Sequence, residues 1–571
     1  MSVAVSRRHL FAASLALAGC ATAGPYFGRT LPPRSRRLVH SNGEEPGTLD
    51  PAQSVGANSE IIIGMLLDSL TALNPVTLEP AAGLATHYEI DDRGTRYTFF
   101  LRGHPKPTGT RLPNRDSLPA QISRGRKAPS DRIPAVWSDN TVITAHDFVF
   151  SWRRFADPTT AAPMAFYLAP IRTADARNPA ALAVRAIDDF TFQFDLASPT
   201  ASFVKLLWQP FLAAVHRPSI EARRSKRATQ WTEPHDYVSS GPFVLREWKP
   251  YDHIALAKNP HYWEADSVDI EELIFLPVAD GATNVNLYRT GTMHSMDPRL
   301  IPPPLVHALA QKRDFTTASA LRTFWFLLNI TTPPLNRLSV RYALNMATDK
   351  KAIARFLGCG QTPANGIVPP MRGYPPLSEL RVPVNGRVID ILAFDPQVAR
   401  EVLRAEGIAE LSLSLTFPAL PNIKDIAMIL QQQWYEYAGV RLTLSEQGPA
   451  AWGQDMIEKR YRHLTQDSWT ARCADPVDYL ALFGPPEHYS TWTDTAFDQQ
   501  FADANAMLDP ADRMSALAAC EARLIKAMPV IPIYHDVWTY LEAPYIRGLR
   551  PNPFAAPQFK YAWIETTWRP S

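Results

Sequence analysis

Apolar positions along this chain switch between strand-like and helix-like spacing, and no unit of the pattern repeats. Residues 97–101 (YTFFL) are mostly aromatic or β-branched, which predicts a strand. Thr144 and Asp147 form a capping box ahead of a helix whose apolar residues from Phe148 to Phe155 share one face. Residues 530–541 (VIPIYHDVWTYL) predict a buried strand and its continuation. The two spacings together predict an α/β fold (α+β with mixed sheets) that is divided into several lobes.

Two further helices are predicted from their first residues. Asp395-Pro396 and Asp509-Pro510 each place an N-capping aspartate before a proline, and proline suits the first helical position. Gly407 predicts the end of the first of these helices, because glycine adopts the left-handed conformation that follows many last turns.

The first twenty residues have the layout of a bacterial export signal. Arg7 and Arg8 precede a short apolar run, residues 10–19, which is too short to span a bilayer and predicts a signal peptide over residues 1–19. The run closes on LAGC, which resembles a lipobox, so Cys20 is predicted to be the lipidated mature N-terminus. A plain signal peptide with a chance cysteine is the alternative. The stretch SRRHLF is also similar to a twin-arginine signal, and residues 20–37 predict a lipidated, flexible tether.

The overall composition is that of an ordinary globular protein. Of the 571 residues, 46% are hydrophobic and 20% are charged, which leaves room for a large core. A formal net charge of +2 does not provide the concentrated basic face that binds nucleic acid. Cys359, Cys473 and Cys520 stand apart, which gives no metal-ligand spacing and at most one disulfide. We therefore expect no nucleic acid, no metal and no cofactor, and membrane contact through the lipid anchor only.

Residues 103–135 differ from the rest of the chain. The segment holds six prolines and seven Lys or Arg against two Asp, and it has almost no periodic apolar residues. This composition predicts a solvated surface loop or a disordered insertion that is dispensable for binding, and a charged patch for a partner is the alternative.

Many short motifs then follow one another in a familiar order. They are residues 45–51 (EPGTLDP), 83–85 (GLA), 137–139 (WSD), 144–148 (TAHDF), 151–154 (SWRR), 240–243 (SGPF), 259–263 (NPHYW), 340–344 (VRYAL), 529–532 (PVIP) and 552–554 (NPF). Together they resemble the large oligopeptide- and dipeptide-binding proteins of bacterial ABC importers. The resemblance runs from about Leu38 to Glu565.

The resemblance implies a periplasmic-binding-protein-like clamp of three lobes, with a hinge between lobes one and three. Lobes one and three would close on the ligand and bury it, and lobe two would be an additional layer. The implied boundaries are residues 38–78, 200–305 and 527–571 for lobe one, 79–199 for lobe two with the insertion at 103–135, and 306–526 for lobe three.

The resemblance also implies where a ligand would bind. An extended peptide would pair its backbone with strand-like segments of both clamping lobes, and bridging waters would let many sequences fit. The matching positions are Val55, Gly56 and Ala57 in lobe one, Ser468, Trp469, Thr470 and Ala471 in lobe three, and Tyr534 on the late strand.

Two positions depart from the family pattern. Peptide binders of the family commonly carry an aspartate three residues after the tryptophan, where it pairs with the peptide's amino terminus, and Arg472 stands in that place. Arg472 would favour ligands with a blocked or acidic terminus, or it would turn away to pair with Asp475 or Asp478 and leave those carboxylates to meet an ordinary peptide. Met164 replaces an aromatic contact residue.

These observations predict a monomeric, lipid-anchored solute-binding protein on the periplasmic face of a bacterial membrane, which delivers oligopeptides or peptide-like solutes to the permease of an ABC importer. The same scaffold with a non-peptide solute, anionic or sugar-like, is the alternative, and a chaperone-like lipoprotein without an importer is a weaker one. An exported hydrolase is disfavoured, because the chain has no Gly-x-Ser-x-Gly and no His-Glu-x-x-His. His463, His488 and His535 are scattered in the sequence and indicate no catalytic cluster.

Overall fold

The computed structural model describes residues 26–173, 178, 181–222, 230–420, 422–485 and 489–570. The predicted signal peptide, Cys20 and His488 lie outside the described residues. Within them, no helix has both the length and the apolar character needed to cross a membrane.

Strands and helices alternate irregularly through the described residues. The strands are β1 (Arg37–Ser41), β2 (Thr71–Leu73), β3 (Pro80–Ala82), β4 (Ala85–Ile90), β5 (Arg96–Leu101), β6 (Thr110–Arg111), β7 (Val184–Asp188), β8 (Thr191–Asp195), β9 (Phe243–Lys249), β10 (His253–Lys258), β11 (Glu272–Leu276), β12 (Ser295–Met296), β13 (Phe315–Leu328), β14 (Thr362–Pro363), β15 (Arg381–Val384), β16 (Arg387–Asp390), β17 (Leu411–Pro418), β18 (Val440–Gln447), β19 (Leu464–Thr470), β20 (Val530–Leu541), β21 (Ile546–Arg547) and β22 (Trp563–Ile564). The α-helices are α1 (Ala57–Leu66), α2 (Ala120–Ser123), α3 (Ala145–Ala156), α4 (Arg217–Ala222), α5 (Gly281–Thr290), α6 (Pro303–Leu309), α7 (Leu338–Met346), α8 (Lys350–Leu357), α9 (Pro396–Ala405), α10 (Ile423–Ala438), α11 (Pro449–Ile457), α12 (Val477–Leu480), α13 (Thr495–Ala506) and α14 (Pro510–Ala527).

Two of the large sheets share one hydrophobic core. Sheet A has the order β12-β1-β11-β10-β9 and is mixed, because β1 runs parallel to β11 and β12 while β9 and β10 are antiparallel. Sheet B, with the order β6-β4-β5-β8-β7, is antiparallel throughout. Their buried residues form a continuous cluster that we call the first core, drawn from residues 38–275 and 543–562.

The third large sheet builds a separate core. Sheet C has the order β14-β20-β13-β19-β17-β18, and it is also mixed, since β17 runs parallel to both β18 and β19. Helices such as α7, α10 and α14 pack their buried faces into the second core, drawn from residues 321–534. The prediction of an α/β fold with mixed sheets is confirmed.

The long antiparallel pair β13 and β20 connects the two bodies. Phe315–Ser319 pairs with Val537–Leu541 near sheet A, Thr323–Leu327 pairs with Val530–His535 in sheet C, and the register shifts between the two stretches. Val530 and Tyr534, in the first half of β20, lie in the second core. The reason is that β20 crosses between bodies, so no single residue divides it.

The local signals predicted from sequence are present. Asp147 accepts the backbone N–H of Thr144 at 2.8 Å, which completes the capping box of α3. Asp395 and Asp509 accept backbone N–H groups at the starts of α9 and α14. Gly407, just beyond α9, has a φ of +73°.

The segment 103–135 lies at the surface, with most of its residues exposed and outside regular structure, but it is anchored to the rest of the fold and is not a freely solvated insertion. Its strand β6 pairs with β4, and the apolar side chains of Leu118 and Ile122 pack against Tyr561. Arg115 forms a buried ion pair with Glu264 at 2.6 Å. Two other arginines of the segment, Arg124 and Arg126, pair with Asp269. Three of the seven basic side chains therefore have acidic partners far away in sequence, which composition does not reveal.

Candidate functional site

A cavity of about 240 Å³ lies between the first and second cores. Helix α1 and the segment after β8 contribute one wall, and the end of β19 contributes the facing wall. The lining residues are Ala57, Glu60, Ile61, Trp208, Gln209, Pro210, Arg299, Thr470, Ala471, Arg472, Trp538, Phe554, Ala555 and Ala556. The walls combine aromatic rings, small side chains and a few charged groups, which is the usual composition of a small-ligand site.

Helix α1 positions the first wall because most of its surface is buried. Residues 61–63 are isoleucines, and together with Met65 and Leu66 they anchor the helix in the first core. Its first turn follows Gly56, whose extended backbone brings Ala57 and Glu60 to the edge of the cavity.

Arg472 and Glu60 meet across the cavity. The Arg472 Nη1 atom lies 2.5 Å from Glu60 Oε2, although the two residues are 412 positions apart in sequence. Burial alone would lower the pKa of the Arg472 guanidinium, but the Glu60 carboxylate raises it above its ordinary value. The backbone N–H of Arg472 donates to Asp478 at 2.6 Å. Burial raises the pKa of Asp478 to about 6, so these groups form one coupled charge cluster.

Further polar contacts tie the two bodies together beside the cavity. The side-chain amide of Gln209 donates to the backbone carbonyl of Arg472. The Lys205 ammonium donates to the carbonyl of Ala474 at 3.3 Å, and the Tyr167 hydroxyl donates to Asp478 at 3.5 Å. All of these contacts require the first and second cores to be close together, so the described arrangement is a closed one.

Aromatic rings form the rest of the lining. Trp208 packs on Phe554 with a ring separation of 5.2 Å, and the indole N–H of Trp538 donates to the carbonyl of Pro553 at 2.9 Å. Arg299 also reaches the cavity, but its guanidinium is bound to Asp297. Aromatic rings and ion-paired side chains therefore make up much of the cavity lining.

Comparison with known proteins identifies the family to which this architecture belongs. The family model of bacterial extracellular solute-binding proteins, family 5, matches residues 134–491, which is more than half of the chain. This chain belongs to that family. The periplasmic oligopeptide-binding protein OppA of Salmonella typhimurium is 28% identical over 561 residues, which cover 94% of this chain and 93% of OppA.

Solved structures share the fold of this family 5 protein. The Haemophilus influenzae OppA complex with RPPGFSPFR is 24% identical, covers 93% of this chain and 99% of its own, and gives a TM-score of 0.73. The Escherichia coli murein tripeptide binding protein MppA is also 24% identical, covers 94% and 99% of the two chains, and gives a TM-score of 0.75. The clamp fold predicted from the motifs is therefore confirmed.

The structure brings some of the predicted site residues of this family 5 protein together. Ala57, Thr470, Ala471 and Arg472 line the cavity between the two cores. Val55 lies just before helix α1 with 56% of its surface exposed, and Gly56 caps that helix.

Other predicted site residues lie outside the cavity lining. Asp475 is fully buried, and its two oxygens bind Arg513 at 2.8 and 2.9 Å. Tyr534 is buried against Phe324, with a ring separation of 4.9 Å. Packing holds Tyr534 in the second body, ion pairs with Arg513 and with Lys205 of the first body hold Asp475, and neither side chain lines the cavity.

The remaining predicted positions do not line the cavity either, and each has its own contacts. Ser468 accepts a hydrogen bond from Arg322 at 2.9 Å, and the indole of Trp469 donates to Asp478 at 3.3 Å. Met164 is half-buried and packs against the first core. His463 and His535 have separate partners, Ser414 and Thr323.

Sequence reasoning missed several residues that line the cavity. They are Glu60, Ile61, Trp208, Gln209, Pro210, Arg299, Trp538 and Ala555 with its neighbours. One signal was available for Glu60, because a lone acidic residue ahead of three isoleucines in a buried helix needs a partner. The aromatic residues gave no such signal, since buried tryptophans are common in any core.

Proposed function

We propose that this family 5 protein captures peptides or peptide-like solutes in the cavity between its two bodies and delivers them to the permease of an ABC importer. The observation that carries this proposal is the cavity itself, which is lined from both bodies and bordered by contacts that exist only in the closed arrangement. Peptide binding is the stated property of the relatives OppA and MppA. The proposed action is binding and release without chemical turnover.

The capture step follows from the strand pair β13 and β20. These strands are the long connection between the two bodies, and the first of their two register shifts lies between Ser319 and Thr323. A bend at this shift would move sheet C relative to sheet A without breaking either core, as in hinge closure. Closure would bring Thr470–Arg472 against helix α1 and enclose the ligand.

The closed cavity favours a short ligand. Its volume of about 240 Å³ is below the roughly 300–1,000 Å³ common for small-molecule sites. We propose that Ala57 and Thr470–Ala471 offer backbone groups to a peptide of a few residues, with Val55 and Gly56 at the entrance. Longer peptides would require a wider separation of the bodies.

We further propose that export and anchoring follow the N-terminal signal. A mature N-terminus lipidated at Cys20 would hold a monomer at the periplasmic face of the membrane, close to its permease. Two or three acyl chains bind a membrane far more firmly than one, so the protein should fractionate with membranes. The Cys20→Ser variant should instead remain uncleaved at that site or be released, and persistent anchoring with normal cleavage would refute lipidation.

Native mass spectrometry of the purified protein tests the proposed ligand class. A closed binding protein retains its ligand, so we expect co-purifying peptides of a few residues. A retained sugar, bile acid or other non-peptide solute would overturn the peptide assignment while leaving the clamp intact. Conversion of an added peptide to products by the purified protein would overturn binding without turnover.

A further inference from the structure

Only one oxygen of the Glu60 carboxylate has a hydrogen-bond partner among the described residues. Its Oε2 atom is bound to Arg472, whereas its Oε1 atom is buried and has no hydrogen-bond partner among the described residues. Glu60 is 7% exposed, so bulk water does not serve this oxygen. A buried carboxylate oxygen without a donor is unfavourable, which indicates that a donor is supplied from outside the chain.

Glu60 also stands at the junction of two cavities. It lines the main cavity of about 240 Å³ and a neighbouring one of about 60 Å³, which share Ile61 and Trp208. A ligand in the main cavity would therefore lie beside the Glu60 carboxylate.

The charges around Glu60 are not balanced, and one added cation would neutralise them. Glu60 binds the guanidinium of Arg472, and the second carboxylate, Asp478, accepts the backbone N–H of the same residue. The other cation of the cavity, Arg299, is already bound to Asp297. Glu60, Asp478 and Asp297 are acidic, whereas Arg472 and Arg299 are basic. When all five side chains are ionised they carry one net negative charge, which a cationic donor would balance.

We propose that Glu60 Oε1 binds an ammonium group of the ligand, while Arg472 positions Glu60 and does not contact that group. The inference rests on the proposed function, because it concerns the ligand of the same cavity. The ammonium belongs either to a free amino terminus or to a lysine side chain. The guanidinium of Arg472 does not select an anionic ligand, since Glu60 from the facing body already occupies it.

Peptide pools distinguish these outcomes. Three isotope-coded tripeptide pools are mixed with the protein: free-amino peptides without lysine, N-acetylated peptides without lysine, and N-acetylated peptides with lysine. Retained peptides are counted by native mass spectrometry. We expect wild type to retain the first pool over the second by about tenfold or more, because a charge-assisted hydrogen bond is lost on acetylation. Retention of the third pool over the second would assign the ammonium to a lysine side chain instead.

Matched variants identify the residue responsible. Glu60→Gln keeps the shape of the side chain and should reduce the preference for free-amino over N-acetylated peptides to within about threefold. Arg472→Gln should still prefer the free-amino peptides. Glu446→Gln is the control, because Glu446 is exposed and pairs with Lys424 on the surface. A Glu60→Gln protein that kept the full preference, or that lost all three pools equally, would overturn the inference. Equal retention of the three pools by wild type would do the same, whereas retention of none would instead refute peptide binding itself.

Discussion

Asp475 and Arg513 form a two-point ion pair inside the second body, with both side chains less than 5% exposed. Arg513 lies in the first turn of α14, and Asp475 lies just before α12. The pair therefore fixes the chain segment that follows the cavity-lining residues 470–472. This contact holds Asp475 away from the cavity lining.

Removal of one partner of this pair should destabilise the fold. Asp475→Asn should lower the free energy of unfolding by about 3–5 kcal/mol, because Arg513 would keep a buried charge without its counterion. Denaturant unfolding measures the change. Glu401→Gln is the control, since its pair with Arg387 is exposed and should contribute little to stability. Similar losses in both variants would contradict the assignment.

The folded segment 103–135 should contribute to stability through Arg115. Arg115 and Glu264 are each 2% exposed at the side chain, so Arg115→Met should lower the free energy of unfolding by about 3–5 kcal/mol. Arg132→Met changes an exposed arginine of the same segment and should have little effect. An unaltered denaturation midpoint in Arg115→Met would show that the segment does not stabilise the fold.

Closure should depend on the contact between Gln209 and Arg472. Gln209→Met removes a hydrogen bond between the two bodies, worth about 1 kcal/mol, and should shift the free protein toward an open form. Solution scattering should give a larger radius of gyration for the variant, and ligand should reduce it in both proteins. The exposed Gln397→Met is the control. A profile that stayed the same with a tightly bound ligand would refute clamp closure.

The pH dependence of stability should report on Glu521. Burial raises the pKa of Glu521 from 4.5 to about 7, and Tyr374 donates to it at 2.8 Å. Because the folded pKa is raised, the folded protein holds this proton more tightly, and that stabilisation is present below about pH 4.5 and lost as the pH rises through about 7. Glu521→Gln should remove this loss, which amounts to roughly 3 kcal/mol.

Denaturant unfolding at about pH 4.5 and about pH 8 tests the effect. The exposed Glu436→Gln should follow the wild-type pH dependence. If Glu521→Gln loses as much stability between these pH values as wild type does, Glu521 is not the group that titrates.

Much of the local structure could be predicted from the sequence, because the residues that start a helix or form a strand lie within a few positions of one another. Asp395 and Asp509 cap helices three residues or fewer away, and the run 530–541 forms one strand over its whole length. The clamp fold followed from motif order alone. The lipidation of Cys20 and the lobe boundaries remain predictions.

The segment 103–135 shows where this reasoning fails. Its basic residues look solvated because the sequence around them offers no partner, yet Arg115 meets Glu264 and Arg126 meets Asp269 after the chain returns. Composition counts charges, but it does not show which charges meet.

The sequence by itself determined the secondary structure signals, the family and the order of the elements, since these depend on short-range patterns. Only the tertiary structure decided which charged side chains meet at the cavity. Asp475 and Asp478 are the partners predicted for Arg472, but neither binds its guanidinium. Glu60 binds it instead, from a helix 412 positions earlier in the sequence, and carries the opposite charge. The electrostatics of a cleft between two bodies depend on the charged residues of both walls. Residues of the two walls that are far apart in sequence meet only when the chain has folded.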